Sequence, residues 1–159
     1  TKKNIVAIFM GLLSLCFGYA SLLLVQPSGH IMLVTLAAII AAFDSAAYFV
    51  GRSVGGPKLW PQVSPKKTIS GSIGGLVAAT GITMVLADVI GFADHFNALI
   101  LGLGLGILAQ AGDLLESAIK RRLNVKDSGS ILPGHGGMLD RFDGYILAIP
   151  AFYLYLFEI

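Results

Sequence analysis

The sequence predicts an all-α fold: a polytopic transmembrane bundle of about five helices, read as a single transmembrane domain over residues 1–159. Three observations predict it. More than half of the residues, 55%, are hydrophobic, and mean hydropathy is +0.81. Only 13% are charged, against about a quarter in a soluble domain. The apolar residues also fall into runs close to the length of about 20 residues that a helix needs to cross ~30 Å of hydrocarbon.

The runs are Ile5–Val25, Ile31–Val50, Ile69–Ile90, Phe96–Leu115 and Gly144–Phe157. The last is long enough only if its helix begins near Met138, which would set Asp140 and Asp143 on its first turns. The first run is not followed by a small-residue cleavage site, so it reads as a membrane helix and not a secretory signal. Cys16, the single cysteine, reads as a small buried hydrophobe. Small-residue pairs, Gly71/Gly75 and Gly102/Gly106, predict close helix packing. Phe152, Tyr153, Tyr155 and Phe157 read as lipid-facing or interfacial anchors.

The connections sort by charge. Lys2 and Lys3 precede the first run, Arg52, Lys58, Lys66 and Lys67 follow the second, and Lys120, Arg121, Arg122, Lys126 and Arg141 follow the fourth. The connections after the first and third runs carry no Lys or Arg. With alternating spans, all 11 basic residues fall on one side, which the positive-inside rule makes cytoplasmic. The C-terminus is then expected outside. A net charge of +2 gives no reason to expect nucleic acid as a partner.

Carboxylates recur at one depth. Asp44 lies eight residues before Arg52, roughly 12 Å in from that end of its helix, and Asp113 seven residues before Lys120, roughly 10 Å in. Asp140 and Asp143 open the fifth run at the same side. Asp113, Ser117 and Lys120 share a helix face, with Glu116 bordering it. Charges in hydrocarbon cost at least about 2.5 kcal/mol each and so tend to face polar cavities. Ion pairs with nearby Lys and Arg would account for single carboxylates. Three together favour a divalent cation, and oxygen-only donors suit Mg²⁺, Mn²⁺ or Ca²⁺.

The basic loops suit an anion. In "VSPKKTISGSIGG", Pro65 sets an extended entry and Thr68 or Ser70 is placed to cap the third helix. Free N–H groups at a helix start beside Lys66 and Lys67 make a phosphate site; an ordinary cap with lysines facing lipid is the plainer alternative. Further on, glycines around His135 permit close approach of a ligand. A cation, an anion and a membrane together suggest phosphoryl or nucleotidyl transfer to a lipid.

The stretch "SAIKRRLNVKDSGSILPGHGGMLDRFD", residues 117–143, resembles the signature of the CDP-diacylglycerol synthases, or phosphatidate cytidylyltransferases. The resembling positions are Ser117, Lys120-Arg121, Lys126-Asp127, His135-Gly136-Gly137 and Asp140-Arg141-x-Asp143. "DSAAYFVGR" from Asp44 and "SPKKTISGSIGG" from Ser64 resemble further family segments, with Ile69-Ser70 standing where the family has a tryptophan-acid pair. The resemblance implies the reaction CTP + phosphatidate → CDP-diacylglycerol + pyrophosphate, with Mg²⁺ and one or two metal ions. It implies Asp113, Asp140 and Asp143 as the metal site and Lys120 and His135 in catalysis. Substrate binding would fall to Asp44, Ser64, Lys66, Lys67, Ser117, Arg121, Lys126, Asp127, Gly136, Gly137 and Arg141. It further implies a homodimer in a bacterial inner membrane, and membrane helices ahead of these residues.

Two other readings compete. One is a CTP-dependent lipid kinase or a cytidylyltransferase for another lipid phosphate. The other is a cation transporter using Asp44, Asp113 and Asp140 as an ion path, against which the acidic groups cluster near one membrane face.

Overall fold

The computed structural model describes residues 2–91, 94–124 and 142–157. Helix α1, Lys2–Val25, and helix α2, Gly29–Ser53, form an antiparallel pair joined by a tight turn at residues 26–28. A two-stranded antiparallel ribbon follows, β1 Lys58–Trp60 and β2 Ser64–Thr68. Helix α3, Ile69–Val85, returns across the bundle and continues after Leu86 as a short helix α4, Ala87–Ile90. Helix α5, His95–Arg122, runs back, and helix α6, Tyr145–Phe157, closes the order. α3 packs chiefly on α2 and α5, while α6 lies against α1 and α5.

Helices α1, α2 and α5 are long and apolar enough to cross a membrane, and α3 and α6 are shorter apolar helices. The protein is therefore an all-α polytopic membrane protein. Exposed side chains such as Ile8, Val34, Ile73, Val77 and Ile107 ring the outside. Leu23, Leu36, Ile39, Leu105, Ile146 and Phe152 fill the centre. Without water between lipid and helix, close packing supplies much of the association, and small residues permit it. Gly71 and Gly75 meet α2 at Ala47, Gly51 and Phe43, and Gly102 and Gly106 meet α3 at Thr80, Thr83, Leu76 and Ala79.

The structure corrects the sequence reading at four places. The segment after α2, read from sequence as a basic loop, contains an ordered two-stranded ribbon. Gly55 and Gly56, at φ 66° and 101°, turn the chain back in a conformation that favours glycine, and Val63 buries its side chain at 8% exposure. The third run is not one helix, since it breaks at Leu86 and ends at Gly91, which adopts φ 86°. The fifth helix starts at Tyr145, so Asp143 lies in the turn ahead of it. Phe152 faces the core at 0% exposure, and Tyr153 packs on Tyr19 with ring centroids 5.3 Å apart. Burial of Cys16 agrees with the sequence reading; its thiol donates to the Tyr145 carbonyl at 3.6 Å.

Candidate active site

A cavity of about 550 Å³ opens between α2, the ribbon, α3 and α5. Asp44, Tyr48, Gly51 and Arg52 line it from α2, Lys58, Lys66 and Lys67 from the ribbon, Ser72 from α3, and Gln110 and Asp113 from α5. Eight residues of helix separate Asp44 from Arg52, an axial distance of about 12 Å. The cavity therefore grades along the helices from carboxylates, Asp44 exposed and Asp113 partly buried, to cations nearer the helix ends.

Local sequence sets this geometry. Thr68 in extended conformation is the N-cap of α3, and its hydroxyl accepts from the Gly71 N–H at 3.1 Å. Ser70 does not cap; its hydroxyl donates to the Gly55 carbonyl and holds the start of the ribbon. The Ile69 N–H donates to the Pro57 carbonyl at 3.0 Å. Lys66 and Lys67 are thus carried into α3 on a fixed strand. The Gly71 position cannot hold a side chain, because a Cβ there would meet the Ala47 carbonyl at 2.6 Å.

Lys67 and Asp113 form an ion pair across the cavity. The Ser117 hydroxyl donates to the other Asp113 oxygen at 3.4 Å. On the cavity wall, the Ser72 hydroxyl donates to Gln110 at 2.6 Å. At the rim, an Arg52 guanidinium nitrogen donates to the Tyr48 hydroxyl at 2.9 Å.

Asp143 lies in a turn that packs on α5. Its backbone carbonyl rests on Gly112, where a Cβ would collide with it, so this glycine seats the turn beside Asp113. Burial raises the Asp143 carboxyl to about 7, with the Asp113 charge adding to the rise and the Gly144 N–H opposing it. That N–H donates to Asp143 at 2.7 Å. Two carboxylates near enough for one to shift the other match the oxygen-donor chemistry of a hard divalent ion. Among the described residues, no three acidic, histidine or cysteine side chains gather into a complete metal site.

Other expected site residues have local roles. Lys120 pairs with Glu116 at 2.8 Å within α5, and Glu116 is buried at 1% exposure and does not edge an open face. Arg121 Nε donates to the Val63 carbonyl at 3.4 Å, tying α5 to the ribbon. Ser64 begins β2, opposite Trp60. Lys126, Asp127, His135, Gly136, Gly137, Asp140 and Arg141 lie outside the described residues, as does the C-terminal end at residues 158–159.

The site also contains residues that sequence reasoning misses. Gln110 stands three positions before Asp113, on its face of α5, and Ser72 stands four after Thr68. That spacing is the available signal. Lys58 enters the sequence reading only as a marker of topology, and Arg52 as such a marker and as the last residue of the segment from Asp44, yet both line the cavity.

A cytidylyltransferase family model matches residues 1–158. The chain belongs to the cytidylyltransferase family. It is 46% identical over 130 residues to a phosphatidate cytidylyltransferase of Brucella suis biovar 1 (strain 1330), covering 82% of this chain and 48% of that protein. It is 47% identical over 123 residues to the phosphatidate cytidylyltransferase of Bacillus subtilis (strain 168), covering 74% of this chain and 44% of that one. An uncharacterized Escherichia coli (strain K12) protein, YnbB, is 38% identical over 157 residues, covering 94% of this chain and 53% of the relative. The chain spans about half the length of the curated relatives it matches. Membership of this family gives the graded cavity a chemical context.

Proposed function

We propose that the chain carries the catalytic site of a phosphatidate cytidylyltransferase, which transfers CMP from CTP to phosphatidate and releases pyrophosphate. The observation that carries this reading is the cavity lined both by Asp44 and Asp113 and by Lys58, Lys66 and Arg52. A nucleoside triphosphate needs such cations along its phosphates. The substrates are those of the phosphatidate cytidylyltransferases it resembles.

In this reading a phosphatidate oxygen attacks the α-phosphorus of CTP in line. The new P–O bond forms as the bond to the β-phosphate oxygen breaks, and the electron pair leaves with pyrophosphate. Phosphate esters of this kind have a second pKa of about 6, so the attacking group is already largely ionised near neutral pH. Positioning and charge neutralisation are then the main tasks. Lys67, exchanged from Asp113 onto a phosphate, Lys66 next to it in sequence, and Arg121 are proposed to hold and orient the reacting groups. Lys120, Lys126, Arg141 and His135 are proposed to complete the phosphate contacts, with Ser64, Ser117, Asp127, Gly136 and Gly137 lining the substrates. Asp113, Asp140 and Asp143 are proposed to hold Mg²⁺, which would supply charge neutralisation to the phosphates and the leaving pyrophosphate.

A second cavity, about 300 Å³, is walled by Leu13, Phe17, Leu33, Leu36, Phe142 and Ile149 between α1, α2 and α6. Phe142 is the immediate neighbour of Asp143, so an apolar chain there would end close to the carboxylates. This arrangement supports a lipid as one substrate. Placement of the site on the cytoplasmic face of a bacterial inner membrane, with the C-terminus outside, rests on the one-sided basic residues. Homodimer assembly rests on the family resemblance alone.

The test is transfer of label from CTP to phosphatidate by the full-length protein, with and without Mg²⁺. Label on the α-phosphate is expected in the lipid, and label on the γ-phosphate is not. Incorporation of γ-label would replace this reading by a lipid kinase, and incorporation of neither would remove phosphatidate as the acceptor.

A further inference from the structure

Tyr145 stands between the two cavities, and the transfer chemistry does not use it. We propose that it is a specificity-determining residue for the acceptor lipid. Its ring walls the acyl chain, and its hydroxyl donates a hydrogen bond to the ester carbonyl where that chain joins glycerol. The assignment rests on the transfer reading above and adds to it the linkage chemistry of the lipid, an ester in place of an ether.

Position comes first. The apolar cavity meets α2 at Leu33, Leu36 and Ala37, and the charged cavity meets the same helix from Phe43 and Asp44 onward. Asp44 lies seven residues after Ala37, an axial step of about 10 Å. Ile40, 2% exposed, separates the two. The turn before α6 sits at this step, because a Cβ on Gly144 would stand 3.4 Å from Ile40, one helical turn from Asp44. Tyr145 follows directly. Its backbone is held to α1, since its carbonyl accepts from the Cys16 thiol at 3.6 Å. Its side chain lines the apolar cavity, yet the Asp44 charge acts on its hydroxyl. One side chain thus reaches from the apolar wall toward the charged cavity.

Chemistry comes second. Phe17, on the cavity wall, is 55% exposed on the outside of the bundle. Phe142 packs on it with ring centroids 6.4 Å apart, and on Tyr145 at 5.9 Å. An acyl chain entering past Phe17 would follow these rings and end at Tyr145, where an ester-linked lipid carries its carbonyl. A partly buried phenol generally finds a hydrogen-bond partner, and among the described residues the Tyr145 hydroxyl has none. A neutral carbonyl suits it better than a phosphate. Phosphates are matched by the cations of the charged cavity, and an anion beside Tyr145 would face the Asp44 carboxylate.

The full-length protein is assayed with dioleoyl phosphatidate and with its dialkyl-ether analogue, which keeps the phosphate and the chain length but has no ester carbonyl. The wild type is expected to show a KM about three- to tenfold lower for the ester lipid, the scale of one hydrogen bond. Tyr145→Phe removes a single oxygen. It should raise KM for the ester lipid to that of the ether lipid, and leave KM for the ether lipid and for CTP as they were. Equal KM for the two lipids in the wild type overturns the proposal. An equal rise for both lipids in Tyr145→Phe, or a rise in KM for CTP, overturns it as well, because packing or a phosphate contact is then at stake. Thermal stabilisation by each lipid without CTP reads the same contact with no turnover. The ester lipid is expected to raise Tm more than the ether lipid in the wild type, and equally in Tyr145→Phe. That pattern in a protein that transfers no CMP would strike the transfer reading and keep the lipid contact. Its absence strikes the contact whether or not CMP is transferred.

Discussion

Asp113 receives Lys67 from the ribbon and Ser117 from its own helix, so one carboxylate ties two separate elements together. Its replacement therefore tests both the chemistry and the assembly. Asp113→Asn keeps the shape, and the expected result is loss of CMP transfer by about 100-fold or more, the usual scale for removing a preorganised charge from a reacting site. Thermal unfolding of the same variant separates lost chemistry from lost fold. Lys67→Met removes the cation alone. Hydrogen bonds to charged groups contribute about 1.5–3 kcal/mol, so KM for CTP is expected to rise by about ten- to a hundredfold, read from initial rates over a CTP series. An unchanged KM would mean that Lys67 serves only to neutralise Asp113. Both residues are legible in the sequence, because a charge inside or beside an apolar run is conspicuous. Gln110 and Ser72 are not. They are neutral, and only the packing of α3 on α5 brings them within 2.6 Å of each other.

Elements are legible where the apolar period is long, and illegible where backbone pairing decides the outcome. The helices follow from runs that can bury or immerse their side chains. The ribbon does not, because β1 has three residues and β2 carries two lysines and a proline, a composition that gives little strand signal. Its order comes from hydrogen bonds to residues on other elements. Thr68 joins ribbon to helix, and Thr68→Ala is expected to cost about 1 kcal/mol through the lost N-cap, measured by thermal unfolding in detergent. Gly112 makes the second junction, between α5 and the turn that carries Asp143. Gly112→Ala forces a methyl group against the Asp143 backbone, and overpacking of this kind costs about 1–3 kcal/mol. Gly104→Ala is the control on the same helix, since a Cβ at that position meets nothing within 4 Å. Activity should fall in the first variant and persist in the second.

At the scale of the whole molecule, the fold places the ribbon and the end of α5 at one side of the bundle and the α1–α2 turn and the start of α5 at the other. The proposed orientation rests on the one-sided distribution of all 11 basic residues in the sequence, since positive loops are retained on the cytoplasmic side. The proposed transfer from CTP requires that orientation, because the nucleotide would enter the cavity from the cytoplasm. Cysteine labelling measures it directly. With Cys16, the only cysteine, changed to serine, Gln62→Cys marks the ribbon, and His30→Cys and His95→Cys mark the opposite end; all three positions are exposed. In spheroplasts, a membrane-impermeant maleimide is expected to label His30→Cys and His95→Cys at once, and Gln62→Cys only after permeabilisation. Immediate labelling of Gln62→Cys would put the lysines and carboxylates on the side without nucleotide and remove CTP as a substrate. Protection of His95→Cys together with Gln62→Cys, while His30→Cys is labelled at once, would mean that α3 and α4 together do not cross, which their break at Leu86 makes the critical point of the topology.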